Sequence, residues 1–76
     1  MKTSSNQLTL ADTKKDQVVR ILELSGLSES LRKHLHAYGL FTGRTIRILS
    51  TRPEFIIQIE ETEMALEHSV ARQIGV

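Results

Sequence analysis

Between residues 27 and 48 the chain changes its hydrophobic period, and two glycines mark the change. Leu27, Leu31, Leu35 and Tyr38 recur at spacings of four, four and three, which puts them on one face of a helix. Ser28 suits the N-cap, because its hydroxyl can accept from a free first-turn amide. Gly39 suits the first position past the helix, where a left-handed backbone costs glycine nothing sterically. Leu40 then follows as the residue that meets Leu35 in a Schellman ending. After Gly43 the period becomes two, with Ile46 and Ile48 on one face and Arg47 on the other. A helix therefore hands the chain through a tight turn directly to a strand.

The flanking segments read mostly as short strands. Residues 1–7 are polar and are expected to be a flexible N-terminus. Asp12–Asp16 reads as a loop in which Lys14 and Lys15 are solvated. Gln17–Leu24 is rich in β-branched residues and reads as one strand, ended by Ser25 and Gly26. Pro53 places residues 50–54 in a loop. Phe55, Ile57 and Ile59 alternate with Ile56, Gln58 and Glu60 in a half-buried strand, where Ile56 is an apolar residue on the polar face. Glu60–Glu63 reads as a hairpin turn that lacks the usual glycine or asparagine. Met64 and Leu66 begin a short strand, Ser69 caps a helical turn, and Ile74 and Val76 form a last strand.

The sum is a mainly β domain over residues 8–76, a small barrel of about five strands with one main α-helix and a short C-terminal helical turn. A chain of 76 residues is one domain with a thin core. The expected core is Leu10, Val19, Ile21, Leu31, Leu35, Ile46, Ile48, Ile57, Ile59, Leu66, Ala71 and Ile74. Without cysteine there is no disulfide, thiolate metal site or cysteine nucleophile, and nothing argues for secretion. No apolar run approaches the roughly 20 residues that span a bilayer, and the N-terminus lacks a signal core, so a cytoplasmic protein is expected. A formal net charge of +1 does not by itself point to nucleic acid.

The run Leu31-x-x-x-Leu35-x-x-x-Gly39-Leu40-x-x-Gly43-x-x-Ile46-x-Ile48 resembles the central signature of the FeoA family, the ferrous-iron transport protein A family. The ending Met64-Ala65-Leu66-x-x-x-x-Ala71-x-x-Ile74-x-Val76 resembles that family's closing signature. Leu10 and the strand around Ile21 fall where the family has its opening leucine and first strand. Three positions depart from the pattern: Asp16 stands where the family usually has glycine, Thr42 where it often has proline, and the 60–63 turn has no glycine. The resemblance covers residues 8–76 and implies an SH3-like β-barrel. It also implies a small accessory of bacterial ferrous-iron uptake, acting on FeoB, the GTP-hydrolysing permease. The same domain type occurs at the C-terminus of some metal-dependent repressors, where it makes protein contacts. At this length the chain has no room for a DNA-binding domain as well, so a complete repressor is not expected.

A link to iron makes the three histidines natural candidates. His34 and His36 are two apart on the helix and point about 200° from one another, so they do not share a metal, and His68 can join only one of them. We read all three as surface residues and expect no metal site and no cofactor. Glu60, Glu61 and Glu63 offer oxygen ligands but read as an acidic turn. The chain has no P-loop, and Ser28, Ser30 and Ser69 lack a paired base, so no enzymatic activity is expected. Arg32, Lys33, Arg44, Arg47 and Arg52 leave a small-barrel nucleic-acid module as the alternative, although the only aromatics are Tyr38, Phe41 and Phe55. The favoured reading is contact with the permease, without nucleic acid and without direct membrane insertion; weak self-association stays open. The expected contact surface is Tyr38, Leu40, Phe41, Arg44, Arg52 and Ile56, with aromatic anchors and an arginine rim.

Overall fold

Alternating side chains and a two-residue turn build the central meander. The computed structural model describes residues 8–76. Strand β1 (Val18–Arg20) pairs antiparallel with β2 (Thr45–Ser50), setting Val19 opposite Ile46. Next, β2 pairs with β3 (Phe55–Ile59), and β3 pairs with β4 (Thr62–Leu66). The register of β2 against β3 shifts between Ile48 and Ser50. Along β3 the inward residues Phe55, Ile57 and Ile59 are buried, while Ile56 and Gln58 are half-buried. The sheet order is β1-β2-β3-β4, so four strands stand where about five were expected.

Two expected strands come out differently, for one reason. The Gln17–Leu24 stretch changes partner part-way along. Up to Ile21 it follows the β2 side, where the Ile21 amide donates to the Arg44 carbonyl at 2.8 Å. Beyond that it turns to the C-terminal segment, where the Leu22 amide donates to the Gly75 carbonyl at 2.8 Å. Gly75 also bridges to Thr9. The last strand, expected at Ile74–Val76, is therefore a pair of isolated bridges that hold Gly75 between Thr9 and Glu23. That clasp closes the barrel.

The main helix, α1 (Glu29–Ala37), is capped as its residues dictate. The Ser28 hydroxyl accepts from the Leu31 amide at 3.2 Å. At the other end Gly39 adopts φ +96°, its amide donates to the His36 carbonyl at 2.9 Å, and the Leu40 amide donates to the Leu35 carbonyl at 3.1 Å. Those two bonds are the Schellman pair. Helix α2 (His68–Ala71) begins earlier than expected. Its N-cap is Glu67, whose carbonyl accepts from both Val70 and Ala71 at 3.0 Å, so Ser69 lies inside the turn and is not the cap. A 3-10 turn, Leu10–Asp12, leads into the expected loop and shares Asp12 with it.

The core is wholly apolar among the described residues. Ten of the twelve expected core residues are buried; Val19 and Leu31 pack against the core while half-buried. Leu24, Leu27, Leu40 and Phe55 are core residues as well. The flexible terminus expected at 1–7 lies outside the described residues.

Candidate protein-contact groove

Phe41 is held between two polar side chains beside the helix end. Its ring centroid lies 5.3 Å from that of His36 on α1. The Arg44 guanidinium carbon sits 5.2 Å from the same centroid, a cation–π distance. Arg44 in turn pairs with Glu60 at 2.7 Å. The helix end, the turn into β2 and the β3–β4 turn are thus tied by one chain of contacts. Glu60 reaches Arg44 from a left-handed backbone, φ +54°, at the first residue of the Glu60–Glu61 turn. Asp16 is the other non-glycine in that region, at φ +74°. Asp16 and the 60–63 turn, which contains Glu60, are two of the departures from the pattern of the family that the sequence resembles.

Phe41 also lines an open groove of about 1050 Å³. Leu22, Leu24 and Ala37 contribute the apolar lining with Phe41. Glu29, Arg32 and Lys33 supply a charged border along the outer side of α1, with His36 beside them. The groove arises because Leu27, Leu31 and Leu35 turn the opposite stripe of the helix inward. Leu22 is 55% exposed, a large apolar side chain at the groove that the expected contact set omitted.

The six expected contact residues do not form one surface. Phe41 and Arg44 come together as described. Tyr38 is half exposed and packs edge-on against His34 at 5.2 Å. Leu40 is a correction: it is 0% exposed, because the helix cap turns it into the core, and it offers no contact surface. Ile56 is half-buried on β3 and pairs with Ala65. Arg52 lines a different, smaller pocket near His68.

The histidines are dispersed, each on a different aromatic ring. His34 lies on Tyr38, His36 on Phe41, and His68 on Phe55 at 6.0 Å. Among the described residues no three histidine, aspartate or glutamate side chains gather as a metal site would require. No helix among them is long and apolar enough to cross a membrane.

The family model for the FeoA domain matches residues 8–76. The chain belongs to the FeoA domain family. Solved structures share the fold. A crystal structure of an iron uptake regulatory protein (FeoA) superposes with a TM-score of 0.77 at 20% identity, covering 91% of this chain and 92% of that one. The FeoA protein from Chlorobium tepidum gives 0.81 at 16% identity, covering 88% of this chain and 66% of that one. A manganese-dependent transcriptional repressor gives 0.81 at 15% identity, with 93% of this chain matching 41% of the repressor. The barrel is SH3-like, as it is in these FeoA proteins and in the matching domain of the repressor. This FeoA domain spans less than half of the repressor, and identities this low speak for the fold alone. No curated protein matches the chain.

Proposed function

We propose that this FeoA domain is a small cytoplasmic accessory of ferrous-iron uptake that acts by contact with the FeoB permease. Family membership supports the iron-uptake setting. The observation that carries the contact reading is the open groove beside Phe41. It combines exposed apolar surface, an aromatic anchor and a charged border, which is the anatomy of a protein-binding site. An amphipathic segment of the permease would lay apolar side chains against Leu22 and Phe41 and satisfy Glu29, Arg32 and Lys33 at the edge.

Nucleic-acid binding has less support. Of the five basic residues around the central unit, Lys33 pairs with Glu29 at 3.8 Å and Arg44 with Glu60 at 2.7 Å. Of the three Phe and Tyr rings only Tyr38 is exposed; Phe41 is half-buried and Phe55 is buried.

The test is a pull-down with the permease's soluble cytoplasmic domain and with the full-length membrane protein, comparing wild type with Phe41→Ala and Leu22→Ser. Binding that both substitutions weaken supports the groove. Absence of binding to either form by a folded wild-type chain ends the partner assignment. Binding unaffected by both substitutions keeps the partner and removes the groove.

A further inference from the structure

On another face, the fold gathers basic side chains that are far apart in sequence. Lys14 and Lys15 from the loop before β1, Arg52 from the β2–β3 loop and His68 from α2 line one pocket of about 390 Å³. No carboxylate lines it. Nor does any carboxylate among the described residues form an ion pair with Lys14, Lys15 or Arg52. Phe55, which is buried, contributes an apolar wall, and the Thr51 side chain lies at the border.

The walls are tied in place. The Asp16 amide donates to the Ile48 carbonyl at 2.6 Å, and the Lys14 amide donates to the Gln17 side chain at 2.8 Å, which fixes the lysine loop on β2. The Ser50 hydroxyl reaches the carbonyls of Arg52 and Glu54, each at 3.1 Å, and bends the β2–β3 loop back on itself. His68 Nε2 lies 3.1 Å from the Pro53 carbonyl. A carbonyl only accepts, so Nε2 carries the proton there, and this bond holds the His68 ring against the β2–β3 loop. These bonds order the backbone from which the exposed Lys14, Lys15 and Arg52 side chains extend, so binding has only those side chains left to order.

We propose that this pocket binds a phosphate group. Three fixed positive charges exceed what one carboxylate can neutralise, whereas a phosphate monoester brings about −1.5 to −2. The planar Arg52 guanidinium can span two phosphate oxygens, and the lysines act as point charges beside them. A pocket of about 390 Å³ admits a phosphate monoester, on a free metabolite or as the headgroup of phosphatidic acid. This site is separate from the groove beside Phe41 and stands or falls independently of the permease assignment.

The test uses the whole chain labelled with ¹⁵N and titrated with inorganic phosphate, against sodium chloride at matched ionic strength. The expected result is saturable shifts of the Lys14, Lys15, Thr51, Arg52 and His68 amides that chloride does not produce. Removing one charge-assisted contact in Arg52→Gln, or separately in Lys15→Gln, should weaken binding about tenfold. Both side chains are exposed, and circular dichroism confirms the fold of each variant. A parallel arm sediments the protein with vesicles of phosphatidylcholine alone or with added phosphatidic acid, whose headgroup is a phosphate monoester. Selective binding to phosphatidic acid that Arg52→Gln abolishes assigns the headgroup; saturable phosphate binding without vesicle binding assigns a soluble ligand. Shifts that chloride reproduces, together with no vesicle binding, overturn the proposal. So does equal affinity in wild type and both variants.

Discussion

The Leu40 amide donates to the Leu35 carbonyl at 3.1 Å, and both side chains are buried in the same core. One backbone bond thus fixes where the helix stops and which way the following leucine points. Truncating either side chain leaves a cavity in a small core. Leu35→Ala and Leu40→Ala should each lower stability by about 2–5 kcal/mol, measured by urea denaturation. A Leu40→Ala variant as stable as wild type would return Leu40 to the surface.

The two turn glycines should respond unequally. Both are left-handed, at φ +96° for Gly39 and +94° for Gly43, so either alanine variant takes on about 1–2 kcal/mol of strain. Only at Gly39 would the new methyl also meet a neighbour, Ile59 Cγ2 at 3.3 Å. Gly39→Ala should therefore melt at a lower temperature than Gly43→Ala.

Asp16 offers a related check on the other side of the barrel. A β-branched residue tolerates φ +74° poorly, whereas glycine adopts it freely. Asp16→Val should destabilise by about 1–3 kcal/mol, and Asp16→Gly should be the more stable of the two in thermal melts.

The Arg44–Glu60 pair should be worth little to folding. The Glu60 side chain is mostly exposed, and solvent-facing pairs contribute about 0.2–1 kcal/mol. A double-mutant cycle with Arg44→Gln and Glu60→Gln should give a coupling in that range, shrinking as salt is raised. A larger, salt-insensitive coupling would mean that the pair is buried more deeply than its exposure indicates.

Much of this architecture was legible in residues 27–48 because its causes are local. Ser28, Gly39 and the leucine spacing each act within a few positions. Alternation likewise exposed β2 and β3. What local pattern misses is a change of partner: Gln17–Leu24 looks like one strand because nothing in its period records the switch from β2 to Gly75. Leu40 was both a cap residue and a surface candidate, and burial by the cap decided between them. The groove was invisible because periodicity marks which stripe of α1 turns inward, not where the outer stripe meets Leu22. Lys14, Arg52 and His68 come together only through the register of the sheet and the placement of α2.

The clasp at Gly75 sets an order of events during synthesis. Residues 8–10 leave the ribosome early, yet their closing hydrogen bonds, Leu10 amide to Ile74 carbonyl at 2.9 Å and Val76 amide to Leu8 carbonyl at 3.0 Å, await the last residues described. Contacts spanning nearly the whole sequence slow folding, because the loop between them must close before they form. A released chain truncated before Ile74 would keep the residues of the capped helix and the four-stranded meander but leave one side open to proteases, because Gly75 no longer slots between Thr9 and Glu23.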